Sequence, residues 1–400
     1  MMILKNKLIF LKGVNRDTQH LFAKPGQKSG NVVNVRLPAR FLGRVGETYS
    51  AESYVETNYP VTIRPLQGMD VDVPSTEWAL NINDTKTNIL EPAMAQLVNN
   101  IERDCMQLAY QGVANYVGTI GTAAASSTTV LQANAYLSNE GAPDDDTRKM
   151  LLSVNTNVSL VPAFQGLFNP ANKLAGQFEK GLIGKNTLGF DHYQTQNIWN
   201  HRVGLLGGVP VVNATAGQTG TNIQTSGWTP SRIILKKGDV VEFAAVNAVN
   251  AMTRSLYGGL RHFTITADVT SDGGGLATLP ISPALIPGVV QFATVDAAPA
   301  AGAAITVFGI AAAGQAAIAG TVSAQCLGFH KDAFTVAGIS QVIPKGSTEE
   351  SYQATDPDTG LQLRFLRQFE GRGNNFINRF DVLYAFGVPY PQVAVRMLSL

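Results

Sequence analysis

Residues 89–113 read ILEPAMAQLVNNIERDCMQLAYQGV, and within them Leu90, Met94, Leu97, Ile101, Cys105, Leu108 and Gly112 step by 4, 3, 4, 4, 3 and 4. That spacing puts apolar side chains on one face of a helix. It predicts one long helix from about Asn88 to Val117, roughly 40 Å in length at about 1.5 Å per residue. Pro92 falls in the first turn, where a missing N–H costs nothing. Asn99, Asn100, Glu102, Arg103, Asp104 and Gln107 lie off the stripe and are expected to face water or a partner. Gly118 and Gly121 are expected to end the helix, with Ala123–Thr129 a loop or the start of a strand.

On the N-terminal side, residues 31–45 begin with β-type alternation, and residues 49–64 are rich in Tyr, Val and Thr. Together they predict a long two-stranded excursion. An isolated hairpin is marginal on its own and needs a surface to rest on. On the C-terminal side, Arg148–Val154 suits a buried strand, Ser159–Phe168 a short helix before a turn at Asn169–Pro170, and Thr187–Gln196 a strand. Residues 221–325 change character. Short β segments at Ile233–Leu235, Val240–Ala244 and His262–Thr270 alternate with Gly-rich turns at 237–239, 258–259 and 273–275, the pattern of a small β-barrel or sandwich. Mixed structure returns from Leu327, with strands expected at Leu361–Phe369 and Asp381–Gly387. A β-domain flanked by two halves of a mixed domain marks an insertion.

The 400 residues suggest two or three domains at about 150 residues each. Only 15% of residues are charged, below the roughly 25% of an average soluble protein, while 45% are hydrophobic. A large folded chain with so few charges is expected to bury surface against copies of itself. Net charge is +1, so composition alone does not call for nucleic acid. Charge is nevertheless split along the chain. Residues 1–46 hold nine basic residues and one acid, and residues 47–104 hold ten acids and three bases. Segments of opposite sign suit an arm laid on a neighbour's acidic surface, and they also suit pairing within the chain or plain solvation. Two cysteines, Cys105 and Cys326, exclude a disulfide scaffold and are expected to be buried. The start MMILKNKLIFLKG is broken by Lys5, Lys7 and Lys12 and is not expected to act as a signal peptide. Residues 297–330 carry no charge but are rich in Ala and Gly, and are expected to form β-structure and tight loops rather than a membrane span.

Motifs that carry chemistry are missing. The five histidines, His20, His192, His201, His262 and His330, have no zinc-protease or finger spacing. Gly184-Lys185 lacks the glycine a phosphate loop needs five residues earlier, where Glu179 stands. No Gly-x-Ser-x-Gly elbow occurs. Asp144-Asp145-Asp146 does not continue as a calcium loop and is expected to be a solvated turn or cap. No catalytic, cofactor or metal residue is assigned.

Four stretches resemble one family in the same order along the chain. Residues 89–113 resemble the spine helix of the coat-protein family of short-tailed Salmonella phages, residues 141–198 its apical stretch, residues 235–269 its inserted domain, and Cys326–Ala337 its return to the core. The resemblance spans about residues 30–390. It implies an α+β fold of the tailed-phage and herpesvirus major capsid type, the Hong Kong 97 type. The implied domains are an N-terminal arm (1–35), an extended loop (36–80), a peripheral domain with the spine helix (81–125 and 366–400), an apical domain (126–220 and 326–365) and an inserted β-barrel domain (221–325). The implied function is a major capsid protein that self-assembles into the icosahedral shell around the double-stranded DNA of a tailed bacteriophage, with no enzymatic activity and no cofactor. The implied partners are the chain itself as pentamers and hexamers, a scaffolding protein and portal during assembly, packaged DNA bound non-specifically, and an optional decoration protein, with no membrane. The implied location is the virion, after assembly in the host cytoplasm. One relative of this fold cross-links its subunits through an extended-loop lysine and an asparagine. No lysine lies between Lys28 and Lys86, so Asn374 and Asn375 lack that partner and the shell is expected to be non-covalent.

The charge split places the candidate contact between subunits at Lys5, Lys12 and Arg16 on one side and Glu52 and Glu56 on the other. The competing readings are another self-assembling shell or tube, such as a bacterial compartment or a phage tail tube, and a hydrolase built on His192 and Asp191.

Overall fold

The long helix is Glu91–Gly112, entered through a π-turn at Lys86–Leu90. A computed structural model of the chain describes residues 8–18, 31–44, 46–49, 51–76, 86–164, 186–213, 217–344, 346 and 350–399. The helix is shorter than expected, about 33 Å at the standard rise. It stops at Gly112 rather than at Gly118, because Tyr116 and Val117 leave it to pair in parallel with Arg396 and Met397 of a sheet. Of the stripe, Met94, Leu97, Ile101 and Cys105 are buried, whereas Leu90, Leu108 and Gly112 are half-buried, and Val98 off the stripe is buried as well. Glu102 departs from its expected place. It is buried, and its Oε1 accepts the Phe10 N–H at 2.7 Å.

The chain divides into two units. The first comprises Met1–Leu37, Thr57–Met106 and Phe334–Pro389. One of its sheets has the order Val32–Leu37, Thr57–Ile63, Tyr384–Gly387, Thr335–Gly338, all antiparallel. Alternation explains its core. Val33 and Val35 point inward and pack with Tyr59 against Val61, Ala337 and Ala385. The expected two-stranded excursion is thus two strands of a four-stranded sheet. A second sheet has the order Glu350–Thr355, Gln362–Glu370, Asn375–Val382, Gln67–Pro74. Tyr352, Phe365, Phe380 and Met69 lie in register across it. Leu8, Phe10 and Leu11 are buried, and the Phe10 ring lies 5.5 Å from Phe334 and 5.9 Å from Phe386. Residues 8–14 of the expected arm therefore dock on this unit by their apolar side chains.

The second unit comprises Pro38–Glu56, Gln107–Ala333 and Tyr390–Leu400. Its central sheet has the order Tyr116–Val117, Ala394–Ser399, Val322–Phe329, Lys149–Leu152, Asp191–Gln194, and Asn200–Arg202 also pairs with Val322–Phe329. A helix at Ser127–Asn139 stands where a loop or strand was expected. Ser126 caps it by accepting the Thr128 N–H, and Val130, Ala133 and Leu137 fill its buried face. The helix expected at Ser159–Phe168 is Val154–Phe164. The turn at Asn169–Pro170 and the Gly184-Lys185 pair lie outside the described residues. The β-domain contains a six-stranded antiparallel sheet in the order Ile305–Val307, Val240–Phe243, Phe263–Ile265, Ala277–Leu285, Gly220–Trp228, Gly208–Val212. A start at residue 221 cuts off the strand at Gly208–Val212. The core around Phe243 and Phe263 is continuous with Tyr116, Ile120 and Leu398. Residues 297–330 form the strand Ile305–Val307, a short helix Gln315–Ile318 and the strand Val322–Phe329. Among the described residues no helix is long and apolar enough to cross a membrane.

Candidate functional site

The β-domain is anchored through the turn Lys236-Lys237-Gly238-Asp239. Gly238 has φ +99°, and a Cβ there would lie 2.9 Å from the Tyr110 ring, so the position requires glycine. The Gly238 carbonyl accepts from Arg396 Nη1 at 2.7 Å. The buried Asp239 carboxylate accepts from His201 Nε2 at 2.7 Å, Lys236 N–H at 2.7 Å and Gly204 N–H at 3.1 Å. Tyr110 Oη lies 3.2 Å from His201 Nδ1. Burial pulls the Arg396 guanidinium down to about 10, and neighbouring Tyr110 and Asp239 act against that shift. Arg396 therefore stays cationic at neutral pH, next to the Asp239 carboxylate. The sequence marked this turn as a turn, but gave no sign that Arg396, 158 residues away, would donate to its Gly238 carbonyl.

Of the stretch expected as an extended loop, 36–80, Thr57–Ile63 and Gln67–Pro74 are strands, while residues 38–56, the part called the loop below, have no helix or strand among those described, and none of those is buried. Phe41 is 60% exposed, Tyr49 84% and Tyr54 61%.

The predicted contact residues fall in different settings. Lys5 lies outside the described residues. Lys12 is exposed in the middle of the turn Leu11–Gly13, and Arg16 Nη1 donates to the Pro357 carbonyl at 2.8 Å. Glu52 is exposed and holds its own loop together, accepting the Leu42 N–H at 2.6 Å and the Gly43 N–H at 3.2 Å. The Leu42 N–H, above all, keeps its carboxyl below the usual range. Glu56 is exposed at the loop's end.

In the pair of the hydrolase reading, each side chain engages the loop at 186–187. His192 Nε2 lies 3.1 Å from the Thr187 carbonyl, while Asp191 Oδ1 accepts the Asn186 N–H at 2.9 Å. Burial pushes His192 down to about 4, so the ring is neutral at neutral pH. A cleft of about 360 Å³ opens beside Tyr116, Tyr136, Tyr257 and His262. Burial also holds His262 near 3, and the Tyr116 hydroxyl donates to Glu242. Among the described residues, no Ser, Thr or Cys lines this cleft. Asp145 accepts from the Thr147 hydroxyl and from His330 Nε2, which makes the acidic triplet a loop cap. Among the described residues no group of His, Cys, Asp and Glu is placed to hold a metal.

A family profile described as "P22 coat protein - gene protein 5" matches residues 14–398. Among curated proteins no relative matches. Similar solved structures include one from Mycobacterium phage Che8, 12% identical, covering 98% of this chain and 91% of that one, with a TM-score of 0.47. Another is the asymmetric unit of the bacteriophage PhiM1 mature capsid, 10% identical, covering 93% and 83%, with a TM-score of 0.43. The CUS-3 coat protein I-domain is 27% identical over 26% of this chain and 91% of that one, with a TM-score of 0.18.

Proposed function

The chain belongs to the P22 coat protein family, and from that premise we propose how this major capsid protein of a tailed bacteriophage builds its shell. Its place is the virion capsid and its role is structural rather than enzymatic. The observation that carries the reading is the family match over residues 14–398.

The fold is of the Hong Kong 97 type, with the helix Glu91–Gly112 as its spine and the β-domain as an insertion. Copies associate as pentamers and hexamers. The extended loop lies on a neighbouring copy, which covers Phe41, Tyr49 and Tyr54. The basic arm meets the acidic 47–104 segment of another copy, with Lys5, Lys12 and Arg16 facing Glu52 and Glu56. A scaffolding protein and portal take part in assembly, DNA is held non-specifically, and a decoration protein can add to the finished shell. The shell is held without covalent cross-links. The extended loop has no lysine, and Asn375 is already engaged, its Nδ2 donating to Asp72. The test is sedimentation of purified chain before and after addition of the scaffolding protein. Conversion of slow-sedimenting subunits into closed shells supports the reading, and subunits that stay unassembled over a range of salt and concentration refute it.

A further inference from the structure

Among the described residues, some of the bonds that set the path of the extended loop come from the inserted domain. Within the loop, Glu52 accepts the Leu42 and Gly43 N–H groups and so closes it across its width. From outside, Gln291 Nε2 donates to Ser53 O at 2.7 Å and to Glu52 Oε1 at 3.2 Å. Beside this pair, the Arg40 guanidinium lies 5.6 Å from the centroid of the Phe292 ring. The segment that carries Gln291 and Phe292 is itself well held. Thr294 N–H donates to Ile286 O at 3.0 Å, Ile286 N–H donates to Thr294 Oγ1 at 3.0 Å, Ala293 N–H donates to Val290 O at 3.1 Å, and Arg254 Nη1 also reaches Val290 O. A firm support therefore touches a loop that buries none of its described residues.

We propose that the Gln291–Phe292 corner of the inserted domain is a tether that pre-sets the extended loop of its own subunit, so that a second copy meets an ordered loop. This rests on the shell reading above. The physical gain is pre-organisation, since a loop already near its bound path loses less freedom on association. The tether is also releasable. Both Gln291 hydrogen bonds are exposed to water, where a hydrogen bond contributes modestly, and the Arg40–Phe292 contact is half-buried.

The test is hydrogen exchange, followed by mass spectrometry, on the full unassembled chain, together with the rate of shell assembly with scaffolding protein. Gln291→Glu sets a second carboxylate beside Glu52. It is expected to speed exchange in peptides covering 38–56 by about fivefold, to leave peptides from 240–265 unchanged, and to slow assembly. The double variant Gln291→Glu with Glu52→Gln reverses donor and acceptor in the bond between these two side chains but not in the bond to Ser53 O, and is expected to return both readouts part of the way toward the parent. Unchanged exchange over 38–56 in Gln291→Glu overturns the tether. Faster exchange with an unchanged assembly rate overturns its role in assembly while leaving the shell reading standing, because shells still form. A parent chain that forms no shells counts against the shell reading, and the exchange comparison then decides the tether alone.

Discussion

A histidine next to an aspartate, as His192 is to Asp191, is the local pattern of a general base, and what decides its role is where its ring nitrogens point. Nε2 faces the Thr187 carbonyl and the ring is buried near Phe190, so it holds a loop closed. That burial has a pH consequence with a definite sign. His192 sits near 4 in the folded chain against about 6.5 when unfolded. Between those values the unfolded chain binds a proton that the folded chain refuses, so stability is full above about pH 7 and is lost as pH falls toward 4. The contribution is at most about 3 kcal/mol. Denaturant melts of the unassembled chain from pH 7 to 4 should show a shallower pH dependence in His192→Gln than in the parent, and equal dependence would contradict the assignment. Asp239 tests the anchor turn. Asp239→Ala strands His201 and two backbone N–H groups in a buried site, and is expected to cost about 3 kcal/mol in the same melts. A loss under 1 kcal/mol would mean that water replaces the carboxylate. Glu102 marks where sequence reasoning stops at this scale. Its position off the apolar stripe was legible, but the Phe10 N–H it satisfies comes from 92 residues away.

Local periodicity made some elements readable and hid others. The long helix was legible because seven apolar or small residues repeat at helical spacing, and the β-domain because glycine turns punctuate short β-branched runs. The end of the helix was not legible. The residues from Val113 onward are apolar enough to continue it, and parallel pairing of Tyr116 and Val117 with the C-terminal strand wins instead. The helix Ser127–Asn139 was missed because Ser, Thr and Val at its start favour strands and loops, while the signal that mattered was Ser126 as its cap. The strand Gly208–Val212 was missed as part of the β-domain because its partner, Gly220–Trp228, lies across a glycine-containing connection. This yields an expectation for the domain expressed alone. A segment from 206 to 325 keeps the strand, and is expected to give dispersed amide NMR signals with β character, better than 221–325, which exposes one edge of Gly220–Trp228. Poor dispersion from both segments would mean that the core shared with Tyr116, Ile120 and Leu398 is needed for folding.

For the whole molecule the distinctive feature is surface that a single copy leaves uncovered: few charges, and a loop with aromatic side chains in water. The charge split adds a prediction about order of events. Reversing Lys5, Lys12 and Arg16 to Glu is expected to leave the unassembled chain folded and to lower shell yield, more strongly at low salt than at high. Adding lysine at Glu52 or Glu56 is expected to restore it. Unchanged yield and unchanged salt dependence would mean that these charges are merely solvated. The proposed cross-subunit pairing rests on a charge pattern alone, because the contacts of a shell are made between chains and leave no period in one sequence. The most direct test of the account is cryo-electron microscopy of particles assembled from this chain, at a resolution that places side chains. The account predicts a closed icosahedral shell in which Phe41, Tyr49 and Tyr54 of each extended loop are buried against a neighbouring copy. Particles that are not closed shells, or closed shells in which those three side chains remain in solvent, would contradict it.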